Sequence, residues 1–182
     1  MNAQASPKQL LQNAEIIYSA AEVEAVVERL ATDIAAQLAD DEPLVLCVMG
    51  GAAVFAGQLL PKLAFPLEFD YVQASRYHNG TSGQHLVWKV APGENVRGRT
   101  VLLLDDILDE GHTLKAIVDW CEEQGAASVH TAVLLDKTLD CAKPIEADFV
   151  GLQVANHYLF GYGMDYKGYL RNAAGIYACK DT

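Results

Sequence analysis

Residues 100–114 read Thr-Val-Leu-Leu-Leu-Asp-Asp-Ile-Leu-Asp-Glu-Gly-His-Thr-Leu, and here residue type and spacing could do chemistry. Residues 101–104 are a continuous apolar run, the pattern of a strand buried on both faces of a parallel sheet. Asp105 and Asp106 follow at its carboxyl end, then Asp109, then Glu110-Gly111-His112-Thr113 leading into a helical pattern. In an open α/β sheet, ligands bind outside the carboxyl ends of the strands. Carboxylates there can accept hydrogen bonds from ribose hydroxyls or help to hold Mg²⁺. The backbone N–H groups of residues 110–113, with the Thr113 hydroxyl, can wrap a phosphate at the helix start. The chemistry suggested is the binding of a sugar phosphate. A single Asp at a strand end would mean little, because strand ends are often polar. An apolar run, paired acids, a third acid and a Gly-Xaa-Thr turn in this order are much harder to obtain by accident.

Other stretches extend the pattern: Val48-Met49-Gly50-Gly51, Ser75-Arg76-Tyr77, Lys137, the run from Tyr158 to Tyr166 (Tyr-Leu-Phe-Gly-Tyr-Gly-Met-Asp-Tyr), and Arg171. The stretch 100–114 resembles the phosphoribosyl-pyrophosphate (PRPP) signature of the type I phosphoribosyltransferases. With these further motifs, residues 44–171 are similar to the 6-oxopurine (hypoxanthine-guanine) members of that family. The resemblance implies a transfer in which purine N9 attacks C1′ of PRPP and pyrophosphate leaves, so the protein mainly positions reactants and stabilises charge.

By this resemblance Asp105 and Asp106 face the ribose hydroxyls, and Asp109 is the general acid/base near purine N7. Residues 109–113, including Glu110, Gly111, His112 and Thr113, bind the 5′-phosphate. Lys137 meets the purine 6-oxygen, Tyr158 stacks on the base, and the Leu159 backbone contacts the 2-position. Asp165, on the base side, holds a Mg²⁺ that carries pyrophosphate, with Asp105 and Asp106 as further metal-binding acids. Met49, Gly50, Gly51 and Arg171 bind pyrophosphate, and a non-proline cis peptide is expected in the 48–51 loop. Ser75, Arg76 and Tyr77 stand in the place of the family's mobile loop. The departures are Met49 for the usual Lys, Glu110 for Thr, His112 for Lys, and Arg76 inserted between Ser and Tyr. Asp136, beside Lys137, is a potential partner for its ammonium. The implied cofactor is Mg²⁺, the implied substrates are PRPP, hypoxanthine and guanine, and the implied assembly is a homodimer or homotetramer.

Composition sets bounds on partners. The chain of 182 residues carries a net charge of −11, which argues against a nucleic-acid or anionic-membrane surface. An anionic substrate then requires Mg²⁺, helix N-termini and a few placed Lys and Arg residues to reverse the sign locally. Cys47, Cys121, Cys141 and Cys179 form no CxxC pair, and Cys47 and Cys121 fall in apolar patterns that suit buried free thiols. With no apolar run near membrane-spanning length and no leader pattern, a soluble cytoplasmic protein is expected. Histidines 78, 85, 130 and 157 have no metal-ligand spacing.

The elements that position these residues follow from periodicity. Residues 1–13 are polar and expected to be loose, and residues 15–18 suit a short strand. Ser19 with Glu22 reads as a capping box, followed by apolar residues at helical spacing to about residue 39. A strand over 44–48 is followed by a helix to about residue 64 with a kink at Pro61. Strands over 67–74 and 84–90 flank the turn-rich loop 75–83. A helix after Thr113 stops at Gly125, and strands over 129–135 and 149–154 complete an alternation that predicts a mostly parallel, twisted sheet flanked by helices. The resemblance implies one α/β domain of the type I phosphoribosyltransferase fold over 1–182, with an expected core of about 40–155 and a small hood lobe built from about 1–20 and 156–182.

Overall fold

The apolar run at 101–104 is the inner part of strand β5 (Thr100–Leu108), and Val101, Leu102, Leu103 and Leu104 are all fully buried. The computed structural model describes residues 6–76, 86–92 and 95–179. Strands β2 (Leu44–Val48), β3 (Glu68–Arg76), β4 (Leu86–Val90), β6 (Ser128–Lys137) and β7 (Phe149–Val154) join β5 in a six-stranded sheet. The order is β4-β3-β2-β5-β6-β7, parallel throughout except for β4, which runs antiparallel to β3 at the edge. The whole run is apolar because each face meets its own core. Leu102 and Leu104 pack with helices α2 (Ala20–Leu38) and α3 (Ala53–Leu59), while Val101 and Leu103 pack with helix α4 (His112–Glu123).

Helix α2 begins where its capping box predicts: the Ser19 hydroxyl accepts from the Glu22 N–H, and the Glu22 carboxylate accepts from the Ser19 N–H at 2.8 Å. It buries Val23, Val27, Leu30, Ala31, Ile34 and Leu38 on the sheet side. Pro61 does not kink a longer helix. Instead α3 ends at Leu59 and passes into a 3₁₀ turn, Leu60–Lys62, because a proline N cannot supply the next helical hydrogen bond.

Two expectations need correction. Described residues before Asn13 are not loose: Pro7–Asn13 form helix α1, with Ser6 and Gln9 as a reciprocal capping box and Pro7 in its first turn. The acids also do not follow the central strand. Asp105 and Asp106 lie inside β5, where Asp105 pairs with Val133 and the ladder runs on to Leu108 opposite Asp136. Burial stops before backbone pairing does, so a hydropathy pattern ends the strand too early.

The chain ends meet in a second, antiparallel sheet of order β1-β9-β8, formed by β1 (Glu15–Tyr18), β9 (Ile176–Ala178) and β8 (Leu159–Phe160). Phe160 is fully buried and stacks on Tyr177 with ring centroids 5.4 Å apart. The turn after β8 brings Gly163, at φ 104°, against the carbonyl of Gly51 so closely that a Cβ would overlap it. Among the described residues no helix is long and apolar enough to cross a membrane. Gly163→Ala should therefore lower unfolding stability by roughly 1–3 kcal/mol through strain and overlap together. Gly57→Ala is the control, since a Cβ there meets nothing within 4 Å in the interior of α3. It should be neutral or gain up to about 1 kcal/mol. Urea unfolding of the two variants checks the opposite signs.

Candidate active site

Strand β2 ends in a tight loop whose Met49–Gly50 peptide is cis. The Met49 N–H donates to the Val72 carbonyl at 2.7 Å, which holds the loop to β3. Gly51 lies directly against the Asp106 carboxylate, and any side chain at 51 would occupy the same space. The loop after β2 and the acids of β5 thus meet across two adjacent strand ends. Together with residues 109–113 and Arg171 they line a cavity of about 510 Å³.

The electrostatics of the acid pair follow from its burial. Asp105 is raised well above the ordinary carboxylate range, first by burial and then by the neighbouring Asp106. Asp106 is also raised by burial, but it is restrained by hydrogen bonds, among them one from the Ile107 N–H at 3.0 Å, and by the Arg171 guanidinium. Both acids lie close enough to Cys47 to add to the effect of its burial, which pushes the thiol up to about 12. A buried thiol shifted in this direction is a poor nucleophile. A site that raises the proton affinity of two carboxylates is one that invites a cation or hydroxyl donors.

Gly111 is the N-cap of α4 at φ 80° and has no side chain with which to cap. The first N–H groups of the helix, which have no intrahelical acceptor, are thus left without a side-chain cap where Gly111, His112 and Thr113 line the cavity. Glu110 and His112 are exposed, yet both line the cavity, so the two departures from the family pattern stand at the turn expected to bind phosphate.

Three ion pairs edge the site, and their partners are not sequence neighbours. Lys137, the last residue of β6, does not pair with Asp136 but donates to Asp109 at 2.8 Å. Asp136 is held instead by Lys143 at 2.6 Å, a residue that sequence reasoning missed. No motif marks Lys143, whose contacts lie 7 and 35 positions away. Arg171 donates to Asp165 at 2.7 Å and to the Gly163 carbonyl at 2.6 Å, and Asp165 also accepts from the Gly168 N–H at 2.7 Å. Two residues expected to handle pyrophosphate and Mg²⁺ are thus bonded to each other. Tyr158 is exposed and packs edge-on to Tyr166 at 5.7 Å, while Leu159 is buried in β8. Ser75 and Arg76 close β3, and the Tyr77 and 78–83 portion of the expected mobile loop lies outside the described residues.

Comparison with known proteins bears on this geometry. The model of the phosphoribosyl transferase domain family matches residues 13–167. The chain belongs to that family. A hypoxanthine-guanine phosphoribosyltransferase of Streptococcus pneumoniae is 32% identical over 92% of this phosphoribosyltransferase chain and 93% of its own length. The bifunctional protein TilS/HprT of Listeria innocua is 37% identical over 87% of the chain, which spans 24% of that longer relative. Among solved structures, a hypoxanthine phosphoribosyltransferase from Staphylococcus aureus superposes with a TM-score of 0.88 at 25% identity, covering 96% of this chain and 97% of that one.

The raised acid at 105 gives this phosphoribosyltransferase a pH signature. Below about pH 4, folded and unfolded chains both hold that proton, and Asp105 contributes nothing to stability. As pH rises the unfolded chain releases it first, so the folded state loses stability until its own, higher titration is reached. Asp105→Asn removes that loss. It should melt higher than the parent at pH 7 and match it near pH 4. Thermal melts across pH 4–8 test this, and an equal offset at every pH would refute it.

Proposed function

We propose that the chain transfers the 5-phosphoribosyl group of PRPP to N9 of hypoxanthine or guanine, giving IMP or GMP and pyrophosphate in purine salvage. The observation that carries this reading is the Lys137–Asp109 pair, an ammonium and a carboxylate 2.8 Å apart, in which Asp109 lines the acid-lined cavity and Lys137 a second one that shares Leu108 with it. A 6-oxopurine presents N7 and O6 side by side on one edge. When N7 carries the proton, that edge offers a donor to Asp109 and an acceptor to Lys137. The free protein satisfies the two groups with each other, and the base replaces that contact with two bonds of the same kind.

The rest of the chemistry follows from placement. The phosphate turn 109–113 anchors the 5′-phosphate, and the β5 acids engage the ribose hydroxyls. The loop at 49–51 and Arg171 take the pyrophosphate. As N9 forms its bond to C1′ and the bond to pyrophosphate breaks, Asp109 accepts the N7 proton, which keeps the base electron-rich through the transition state. Tyr158 supplies an exposed ring face for stacking, and the Leu159 backbone reads the 2-position. A backbone contact there explains why hypoxanthine and guanine are both accommodated.

Mg²⁺ fits the donor set. Among the described residues no three His, Cys, Asp or Glu side chains cluster to hold a metal alone. This ion is characteristically held by one or two carboxylates and by the phosphates of the substrate. The raised pair Asp105–Asp106 and the Asp165 carboxylate are such donors, and a bound Mg²⁺ would neutralise phosphate charge that a chain of net charge −11 otherwise repels. Family resemblance supports a homodimer or homotetramer and a cytoplasmic location.

Steady-state assays with hypoxanthine, guanine, xanthine and adenine, each with PRPP and Mg²⁺, test the reading. The 6-oxopurines should react and excess chelator should abolish turnover; full activity in chelator would overturn the metal assignment. Asp109→Asn should lower kcat by ~10²–10⁴-fold, the usual contribution of a positioned acid/base, with PRPP binding largely kept. Adenine presents an amino group to the Lys137 ammonium, two donors face to face, and should trail hypoxanthine by at least about 10³-fold in kcat/KM. Lys137→Met should narrow that gap, and an unchanged ratio would remove Lys137 from base recognition.

A further inference from the structure

We propose that Lys143 is a positioning residue for base recognition, acting on Asp109 and Lys137 through the residues that precede them. The inference rests on the purine-binding reading above. The Lys143 ammonium donates to the Leu108 carbonyl at 2.7 Å and to the Asp136 carboxylate at 2.6 Å. Leu108 and Asp136 are register partners at the open end of β5 and β6. Each is followed directly by one member of the recognition pair, Asp109 after Leu108 and Lys137 after Asp136. A single cation therefore spans the point where the backbone ladder is about to end, and it sets the separation across which Lys137 meets Asp109.

The bond is sheltered. The Lys143 side chain is 12% exposed and that of Asp136 is 24% exposed, so their contact is less screened than a surface pair. The loop carrying Lys143 is itself braced on the phosphate turn, since Pro144 and Ile145 pack against Gly111. Charge adds to geometry. Asp136, Lys137 and Lys143 line one cavity of about 520 Å³, so an Asp136 left without Lys143 would offer the Lys137 ammonium a second acid. Lys143 holds that acid and leaves Lys137 to Asp109. It touches neither substrate nor reacting atoms.

Kinetics and crystallography of Lys143→Met, Lys143→Arg and Asp136→Asn test the assignment. Lys143→Met should lower kcat/KM for hypoxanthine by about 10–100-fold, the weight of one charge-assisted hydrogen bond. The loss should appear in purine KM and kcat, with PRPP KM within about 2-fold of the parent and the hypoxanthine-to-adenine ratio reduced. Lys143→Arg, which keeps charge and donors, should restore most of the activity. A merely structural brace would instead raise PRPP KM in step with purine KM. In the crystal structure of Lys143→Met, the Lys137 ammonium should leave Asp109 or turn to Asp136. An intact Lys137–Asp109 contact, kcat/KM within about 2-fold, or no rescue by Arg overturns the proposal. Should Lys143→Met fail to fold, Asp136→Asn reads the same bond with little change of shape, and parent-like purine KM and kcat in it would likewise overturn the proposal. A parent protein that does not transfer phosphoribosyl groups would sink the proposed function, and the crystallographic comparison alone would then judge Lys143.

Discussion

Carboxylates held where water is scarce are the constraint on which the site depends. Parallel strands deliver their carboxyl ends to one edge of the sheet, and there β5 carries Asp105 and Asp106, with Asp109 just beyond it, in a chain already at −11. Such a concentration of acid is tolerable only if cations are brought to it. Arg171, Lys137 and Lys143 do so, each bonded to an acid beside the cavity: Asp165, Asp109 and Asp136. The pairs involving Lys137 and Arg171 each keep one partner a third or more exposed, so a ligand can reach them, and the largely buried Lys137 ammonium then needs an acceptor from that ligand. In the Lys143 pair the acid is sheltered too, with Asp136 24% exposed against 51% for Asp109, which suits a fixed part.

The second requirement is contact between the two sheets. The turn after β8 meets the loop after β2 at Gly163 and Gly51, and Gly51 in turn meets Asp106. Three segments far apart in the chain converge with no room for side chains between them. Arg171, bonded to the Gly163 carbonyl and close to Asp106, ties two of them, the turn after β8 and the acids of β5, together by charge. The arrangement couples the smaller sheet to the acids of β5 through backbone contact, so residues near the chain ends and the central strand share one wall of the cavity.

What the sequence by itself determined is the scaffold and the strand ends at which its acids gather. Strand β7 spans 149–154 as the apolar pattern predicts, and α2 starts at its capping box, because both signals are local: burial of consecutive residues and one reciprocal hydrogen bond. Even the missed helix α1 had its sign in Ser6-Pro7-Lys8-Gln9, a capping box around a proline. Only the tertiary structure decided who pairs with whom. Adjacency in the sequence does not pair Asp136 with Lys137, because each takes the partner that the fold brings within hydrogen-bond reach, Lys143 for one and Asp109 for the other. Residues 28 positions apart, Asp109 and Lys137, meet because register sets the end of β5 beside the end of β6. The same register gives Lys143 its place, since a cation is drawn to whatever carboxylate and carbonyl the strands leave within reach, and no local pattern encodes that distance.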